Sequence, residues 1–306
     1  MDFFLHKILP LALLAECFVG VAVNVFIAAV QIIKWKAVRS LDSRDQILLC
    51  LGISRSLALM VVFLIFFVLA YFTEAFQNFI FSSAAWTLAW LAHYTNLWST
   101  TILCVFYCVK IATYNNPVFI YMKTRISRLV PQLILAFFLV SIVSSLSEIC
   151  RRILFHQQNS VTNSSLNITM VNVVVEQVFF VNFTFFVMDT FLPFVVFCVA
   201  ISLLIYSLWQ HVRQMRGSGT GFRNTSLQAH LSVVKNMTLF LLLQVIYFGC
   251  CLIFMSRLVP QASHWMVIFE MITCGPLCLH SAHLIYSNAK LSEAFSRMWH
   301  GLIRCT

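Results

Sequence analysis

Charge is what this chain has least of. Asp, Glu, Lys and Arg make up 10% of its 306 residues, against about 25% in a soluble domain. Acidic residues are the scarcer sign, 10 against 20 Lys and Arg. Glycine (8) and proline (6) are too few for a collagenous or low-complexity chain. Enzyme signatures are missing as well: there is no Walker loop, GxGxxG, HExxH or GxSxG. No acidic pair recurs on one helix, and no Cys or His cluster has metal spacing, so neither metal nor cofactor is expected and the chain is not read as an enzyme. What the chain has in quantity is apolar: 61% hydrophobic residues and 30 Phe, with a mean hydropathy of +0.90. A water-soluble core cannot hide that much, which leaves a membrane protein crossing the bilayer several times. The net charge of +10 would suggest nucleic acid for a soluble protein. Here no nucleic-acid partner is expected, and the basic residues report on topology.

Seven apolar segments are expected to be helices: roughly 8–33, 46–72, 84–112, 128–150, 181–212, 231–256 and 264–287. In lipid the backbone must satisfy its own polar groups, and apolar runs of about 25 residues do so only as helices. The 1–2, 3–4 and 5–6 connections with their flanks, and the tail, hold fifteen basic residues, among them Lys34, Arg44, Lys110, Arg125, Arg213 and Lys290. The opposite side holds four: Lys7, Arg151, Arg152 and Arg257. That bias puts the basic connections and the tail in the cytoplasm and the N-terminus outside. The first segment is too long and too weakly basic in front for a cleaved signal peptide, and is expected to act as its own anchor. Segment 290–300 places Leu291, Ala294, Phe295 and Trp299 at one-turn steps, an amphipathic eighth helix lying on membrane lipid. The fold class is thus an all-α membrane protein: one seven-transmembrane-helix bundle over 1–306, multi-pass, N-terminus outside and C-terminus cytoplasmic.

Asn163 and Asn167 head glycosylation sequons in the long outer loop and are the expected acceptors. Asn182 stands too near helix 5, and Asn224 and Asn236 face the cytoplasm or the membrane. Cys305 is either a palmitoylation site or an unmodified terminal thiol. Most of the remaining cysteines lie inside the spans and read as small packing hydrophobes.

Polar groups within the spans are costly and each needs a reason; an arginine at the bilayer centre costs at least about 2.5–3.5 kcal/mol. Arg55 in helix 2 and Asn24 in helix 1 lie at similar depth and are expected to bond each other and facing backbone carbonyls, tying the inner halves together. Helix 3 carries Trp86, Trp90, His93, Asn96 and Thr100 at helical spacing, so they share one face. Helices 6 and 7 add Gln244, Tyr247, Trp265, Glu270 and Thr273, while Glu16 and Asp189 lie in the outer halves of helices 1 and 5. Singly, each could serve an interhelical hydrogen bond. Together they have the make-up of a ligand cavity, apolar with a few placed polar groups. The chosen ligand residues are Trp90, His93, Asn96, Tyr247 and Glu270, with Glu270 the natural counter-charge for His93 if the two approach.

The string Leu97-Trp98-Ser99-Thr100-Thr101, then Phe106-Tyr107-Cys108-Val109-Lys110-Ile111-Ala112, then Lys123-Thr124-Arg125, resembles the type 2 taste receptors, the bitter receptor family. The resemblance continues through Asn24-Val25-Phe26-Ile27, Ile53-Ser54-Arg55, Pro193-Phe194, Leu204–Leu208 with His211, the Arg223–His230 loop, and His280-Ser281-Ala282-His283-Leu284-Ile285. It implies a G protein-coupled receptor at the plasma membrane, binding small bitter compounds in an outward-facing pocket. It also implies a heterotrimeric G protein of the gustducin or inhibitory class as partner, with Asn24, Arg55, Tyr107, Lys110, Pro193, His211, His280 and Ser281 as structural or activation residues. The chain departs from the family where His93 replaces the usual Asn and Ala89 the usual pocket Trp. Two other readings stand beside this one: a vomeronasal type 1-like chemoreceptor, of the same architecture, and a small membrane transporter or channel.

Overall fold

The computed structural model describes residues 8–72, 74, 77–112, 114, 116–162, 168–216, 224–255 and 264–305. Among them eight long helices follow one another: α1 (Leu9–Val38), α2 (Ser43–Tyr71), α3 (Phe79–Ile111), α4 (Pro117–Thr162), α5 (Ile168–Arg216), α6 (Asn224–Met255), α7 (His264–Ser287) and α8 (Ala289–Cys305). The helices outrun the apolar segments, most of all α4 and α5. Hydrophobicity marks the stretch that lipid requires, while intrahelical hydrogen bonds carry a helix past it.

Local signals set several ends. Arg39 closes α1 in the left-handed conformation (φ 58°), its N–H donating to Trp35 O at 2.7 Å. The Asn78 side chain starts α3 by accepting from the N–H groups of Ile80 and Phe81, at 2.9 and 3.3 Å. Asn288 does the same for α8 through Lys290 N at 3.2 Å. Lys34 at the end of α1 pairs with Asp42 and Asp45 at the start of α2 and fixes that turn.

Six of the helices are long and apolar enough to cross a membrane: α1, α2, α4, α5, α6 and α7. The exception to the seven expected spans is α3, which at 33 residues is about 50 Å long but carries too many polar groups. The packing explains its composition. α3 touches α2, α4 and α5 and sits inside a ring closed by α1, α2, α4, α5, α6 and α7. Residues 96–104 of α3 are all buried. A central helix meets protein rather than lipid, so it tolerates Ser, Thr, Asn and His where outer helices show Phe18, Leu135, Val199 and Leu279 on their exposed faces. The chain is therefore a multi-pass membrane protein.

Apolar packing falls into layers. One cluster joins Ile27, Leu48, Leu51, Ile102, Leu284 and Leu291, toward the α8 end. A second joins Leu13, Cys17, Leu59, Leu97, Tyr247 and Leu277, toward the other end. A third packs α3 on α5 and α6 through Cys104, Cys108, Ile201, Leu204 and Phe240. The tail follows the expected pattern: Leu291 is fully buried and Phe295 sets its ring edge-on to Phe26 of α1 at 5.6 Å, while Trp299 stays exposed.

Gly20 of α1 packs against side chains of both α2 and α7. A Cβ there would run into Cys278 Sγ and meet Leu59 Cδ1 at 2.7 Å. Gly20→Leu is expected to push α1 away from both neighbours. Overpacking of this kind costs about 1–3 kcal/mol, read as a lower Tm of the purified protein and a lower surface yield; an unchanged Tm would refute this packing.

Candidate functional site

On α1, α2, α3 and α7 polar residues mark the level between the two apolar layers. On α2, Arg55 lies between Leu51 and Leu59; on α1, Asn24 lies between Cys17 and Ile27; on α7, His280 and Ser281 lie between Leu277 and Leu284. Asn96 and Thr100 bracket Leu97 on α3. Arg55 is 1% exposed, and each of its three nitrogens finds a partner on another helix. Nε donates to Asn96 Oδ1 at 3.0 Å, Nη1 to His280 Nδ1 at 2.5 Å and Ser281 Oγ at 3.0 Å, and Nη2 to Thr100 Oγ1 at 3.3 Å.

The directions of these bonds are dictated. A guanidinium only donates, so His280 presents a bare Nδ1 and carries its proton on Nε2. Ser281 Oγ accepts from Arg55 and passes its own hydrogen to Asn24 Oδ1 at 2.7 Å, and Asn24 Nδ2 donates to Gly20 O at 2.8 Å. One chain of donors runs from α2 through α7 into α1, and two further arms reach α3.

Two expectations are corrected here. Asn24 does not bond Arg55 directly, because Ser281 of α7 stands between them. The arginine's acceptors are four side chains, not backbone carbonyls. Asn96 is a third correction: it does not line the ligand cavity. It lies three residues deeper than His93, about 4.5 Å along the helix, and its oxygen is taken by the buried cation. Charge-assisted bonds are about twice as strong as neutral ones, which fixes Asn96 to this layer.

The cavity lies one layer further from α8. It encloses about 100 Å³, room for several waters, between α2, α3, α5, α6 and α7. Trp86, Trp90 and His93 face it from α3, Phe186 from α5, Tyr247 and Cys251 from α6, and Glu270, Thr273 and Cys274 from α7. Thus Trp90, His93, Tyr247 and Glu270 line one cavity. The α3 stripe does share one face, but the face divides: its first three members line the cavity, and Asn96 and Thr100 hold Arg55.

His93 Nδ1 and the Tyr247 hydroxyl are 2.6 Å apart, a direct bond between α3 and α6. Trp90 packs edge-on to His93 at 5.6 Å and to Phe186 at 5.4 Å. His93 Nε2 and Trp90 Nε1 are both sealed from solvent without a partner. Unpaired buried polar atoms are costly, and two of them stand on residues that line the cavity. The expected pairing of His93 with Glu270 is not made; among the described contacts His93 bonds Tyr247 instead.

Other expected residues are more dispersed. Glu16 turns toward α7, its Oε1 lying 3.4 Å from where a Cβ on Gly275 would stand. Trp265 is exposed, and Asp189 does not line the cavity. Pro193 O accepts from Thr101 Oγ1 at 3.1 Å, joining α5 to α3. Tyr107 faces Arg44 at the start of α2, and Lys110 and His211 are exposed. Asn163 and Asn167 lie outside the described residues, as do the side chains of Asn182 and Cys305. Sequence reasoning missed Phe186, one apolar ring among many, and Phe240, whose ring stacks on His280 at 4.0 Å and meets Phe197 edge-on at 5.1 Å. Nothing in the sequence distinguishes either ring from its neighbours.

The comparison with known proteins now decides the family. A sequence profile described as taste receptor protein (TAS2R) matches residues 1–302. The chain belongs to this family. Mouse taste receptor type 2 member 39 is 29% identical over 304 residues, covering 97% of this chain and 95% of the relative. Human taste receptor type 2 member 9 is 31% identical over 284 residues, 92% and 90%, and human member 2 is 28% identical over 288 residues, 93% of each. TAS2R proteins are G protein-coupled taste receptors rather than enzymes. Membership also sets aside the vomeronasal and transporter readings.

The polar layer makes a graded prediction for this receptor. Lysine supplies one ammonium in place of a planar fork, so Arg55→Lys should fail nearly as badly as Arg55→Ala. Breaking a buried charged network costs about 3–5 kcal/mol. Asn24→Ala, two bonds removed, should cost about 1–3 kcal/mol. Surface expression and Tm check the ranking; an Arg55→Lys receptor as stable as wild type would contradict it.

Proposed function

We propose that the chain is a seven-span bitter receptor of the plasma membrane, with α3 as the seventh crossing, the N-terminus outside and α8 on the cytoplasmic leaflet. The basic bias toward one set of connections supports that orientation. A small bitter compound would enter from outside and settle among Trp90, His93, Tyr247 and Glu270, and a heterotrimeric G protein of the gustducin or inhibitory class would dock at the opposite end. Anionic lipid would meet the basic connections and α8.

The observation that carries this reading is the His93–Tyr247 bond at the wall of the cavity. An agonist presenting a polar group to His93 Nε2 or Trp90 Nε1, and a cationic or donor group to Glu270, would bear on α3, α6 and α7 at once. On α6, Phe240 lies seven residues from Tyr247, two turns nearer the cytoplasm on the same face, and rests on His280. His280 in turn holds Arg55. A shift of α6 at the cavity is thereby felt in the polar layer and at the inner end of the bundle. The agonist drives activation to the extent that it binds the shifted arrangement more tightly than the resting one.

Agonist-dependent nucleotide exchange on a gustducin- or inhibitory-class Gα tests the function, with a panel of bitter compounds as ligands. His93→Asn and Glu270→Gln are each expected to move agonist potency about tenfold, the value of one good polar contact, at normal surface level. If both reach the surface and every potency is unchanged, the agonist binds elsewhere. For the outer loop, glycosidase should lower the apparent mass of the wild type and leave the Asn163→Gln, Asn167→Gln double variant unchanged. A shift that survives in the double variant would contradict these acceptors.

A further inference from the structure

Trp86 is the cavity residue nearest the start of α3, about 10 Å along the helix from His93. Its indole carries a cation. The Arg152 guanidinium of α4 lies over the face of the ring, with Cζ 5.5 Å from the centroid. Trp86 lines the cavity, and no described residue of α4 does. Arg152 therefore reaches the ring from behind the cavity wall, and the indole stands between the guanidinium and the cavity.

The surroundings keep this pair together. Arg152 lies just past the apolar stretch Phe119–Cys150 of α4, and four residues further on His156 stacks on Phe79 at the start of α3. Those two rings are 4.0 Å apart and 14° from parallel, so α3 and α4 run side by side at this end. Glu148, one turn back on α4, places Oε1 3.5 Å from Arg152 Nε. This ion pair is not a hydrogen bond, since Nε is sealed from solvent without a partner. A long i,i+4 pair of this kind offsets only part of the positive charge.

A cation behind an indole changes what the indole accepts in front. The face of the ring attracts cations because its quadrupole is negative there. A cation already on one face draws that electron density toward itself. A second cation, arriving from the cavity, meets a depleted ring and a charge of its own sign about 10 Å away. A neutral aromatic ring meets neither penalty and stacks on the same surface. We propose that Trp86 is a subsite for a neutral aromatic ring, and that Arg152 is the positioning residue that keeps cationic groups out of it. The proposal rests on the reading that small compounds enter this cavity. A ligand that carries both groups then lies with its ring at Trp86 and its cation at Glu270.

The test uses the full receptor, labelled with 5-fluorotryptophan and purified into phosphatidylcholine nanodiscs. Each tryptophan gives one fluorine signal, and Trp86→Phe identifies the one at position 86. Quinoline and N-methylquinolinium, one ring system without and with a positive charge, are titrated against that signal. Arg152→Gln should shift the signal before any ligand is added. It should also raise the affinity of N-methylquinolinium relative to quinoline by about threefold or more, the scale of an exposed cation–π contact. Arg152→Lys keeps the charge and should keep the ratio near wild type, whereas Glu148→Gln removes the offsetting carboxylate and should move the ratio the opposite way. A merely structural Arg152 would change both affinities by the same factor. An unchanged ratio in Arg152→Gln, or a Trp86 signal that neither compound moves, overturns the proposal. If Arg152→Gln gives no monodisperse receptor, the direction of the Glu148→Gln ratio decides. Agonist potencies that respond to His93→Asn and Glu270→Gln, beside an unchanged ratio, sink this inference alone. Unchanged potencies beside a moved ratio sink the agonist site and leave the Trp86 subsite standing.

Discussion

Arg55 carries a positive charge into the middle of the bundle, and none of the four acceptors that meet it is a carboxylate. Neutral dipoles must replace the hydration that the guanidinium gives up, and they do so only while α2, α3 and α7 hold their present distances. Hydrocarbon offers no alternative partner: a helix that leaves exposes a charge at a cost of at least about 2.5–3.5 kcal/mol. The apolar layers above and below add packing without direction. The layer at Arg55 supplies the direction, since its four acceptors stand at fixed places on α3 and α7.

The cavity beside Trp90 and His93 borrows its geometry from that layer. Asn96 and Thr100 are held from below, and one turn further along α3 His93 and Trp90 are thereby presented at a fixed angle to Tyr247. Phe240 connects the same parts along α6, resting on the His280 ring whose Nδ1 faces Arg55. Cavity and polar layer thus share α3, α6 and α7. A ligand that changes the spacing of α3 and α6 must either strain the arginine's bonds or find a second arrangement that satisfies them. Buried polar networks have few fully satisfied arrangements, which suits a receptor that needs two.

Much of this was legible in the sequence, because membranes constrain composition severely. Seven of the eight described helices were placed by run length, and the face shared by Trp86, Trp90, His93, Asn96 and Thr100 followed from spacing alone. The division of that face did not. Spacing says that His93 and Asn96 point the same way, but only the depth of Arg55 on a neighbouring helix decides that Asn96 serves the charge and His93 the cavity. The Asn24–Arg55 contact failed for the same reason: both residues were at the right depth, and sequence could not show Ser281 of α7 standing between them. The polarity of α3, which lowers its hydropathy below that of the six apolar spans, became intelligible only once packing put it in the centre. Phe186 and Phe240 carried no mark among the 30 Phe.

The claim that one cation organises the bundle is tested most directly by a double-mutant cycle on the purified receptor, with Arg55→Met, Asn96→Leu and the pair compared by Tm. Removing either partner alone leaves the other buried and unsatisfied, whereas removing both leaves apolar groups that pack. The account predicts strong non-additivity, with the double variant more stable than the sum of the single losses implies by about 1–3 kcal/mol. Losses that simply add would mean that Arg55 and Asn96 do not depend on each other, and the polar layer would then be a set of separate contacts.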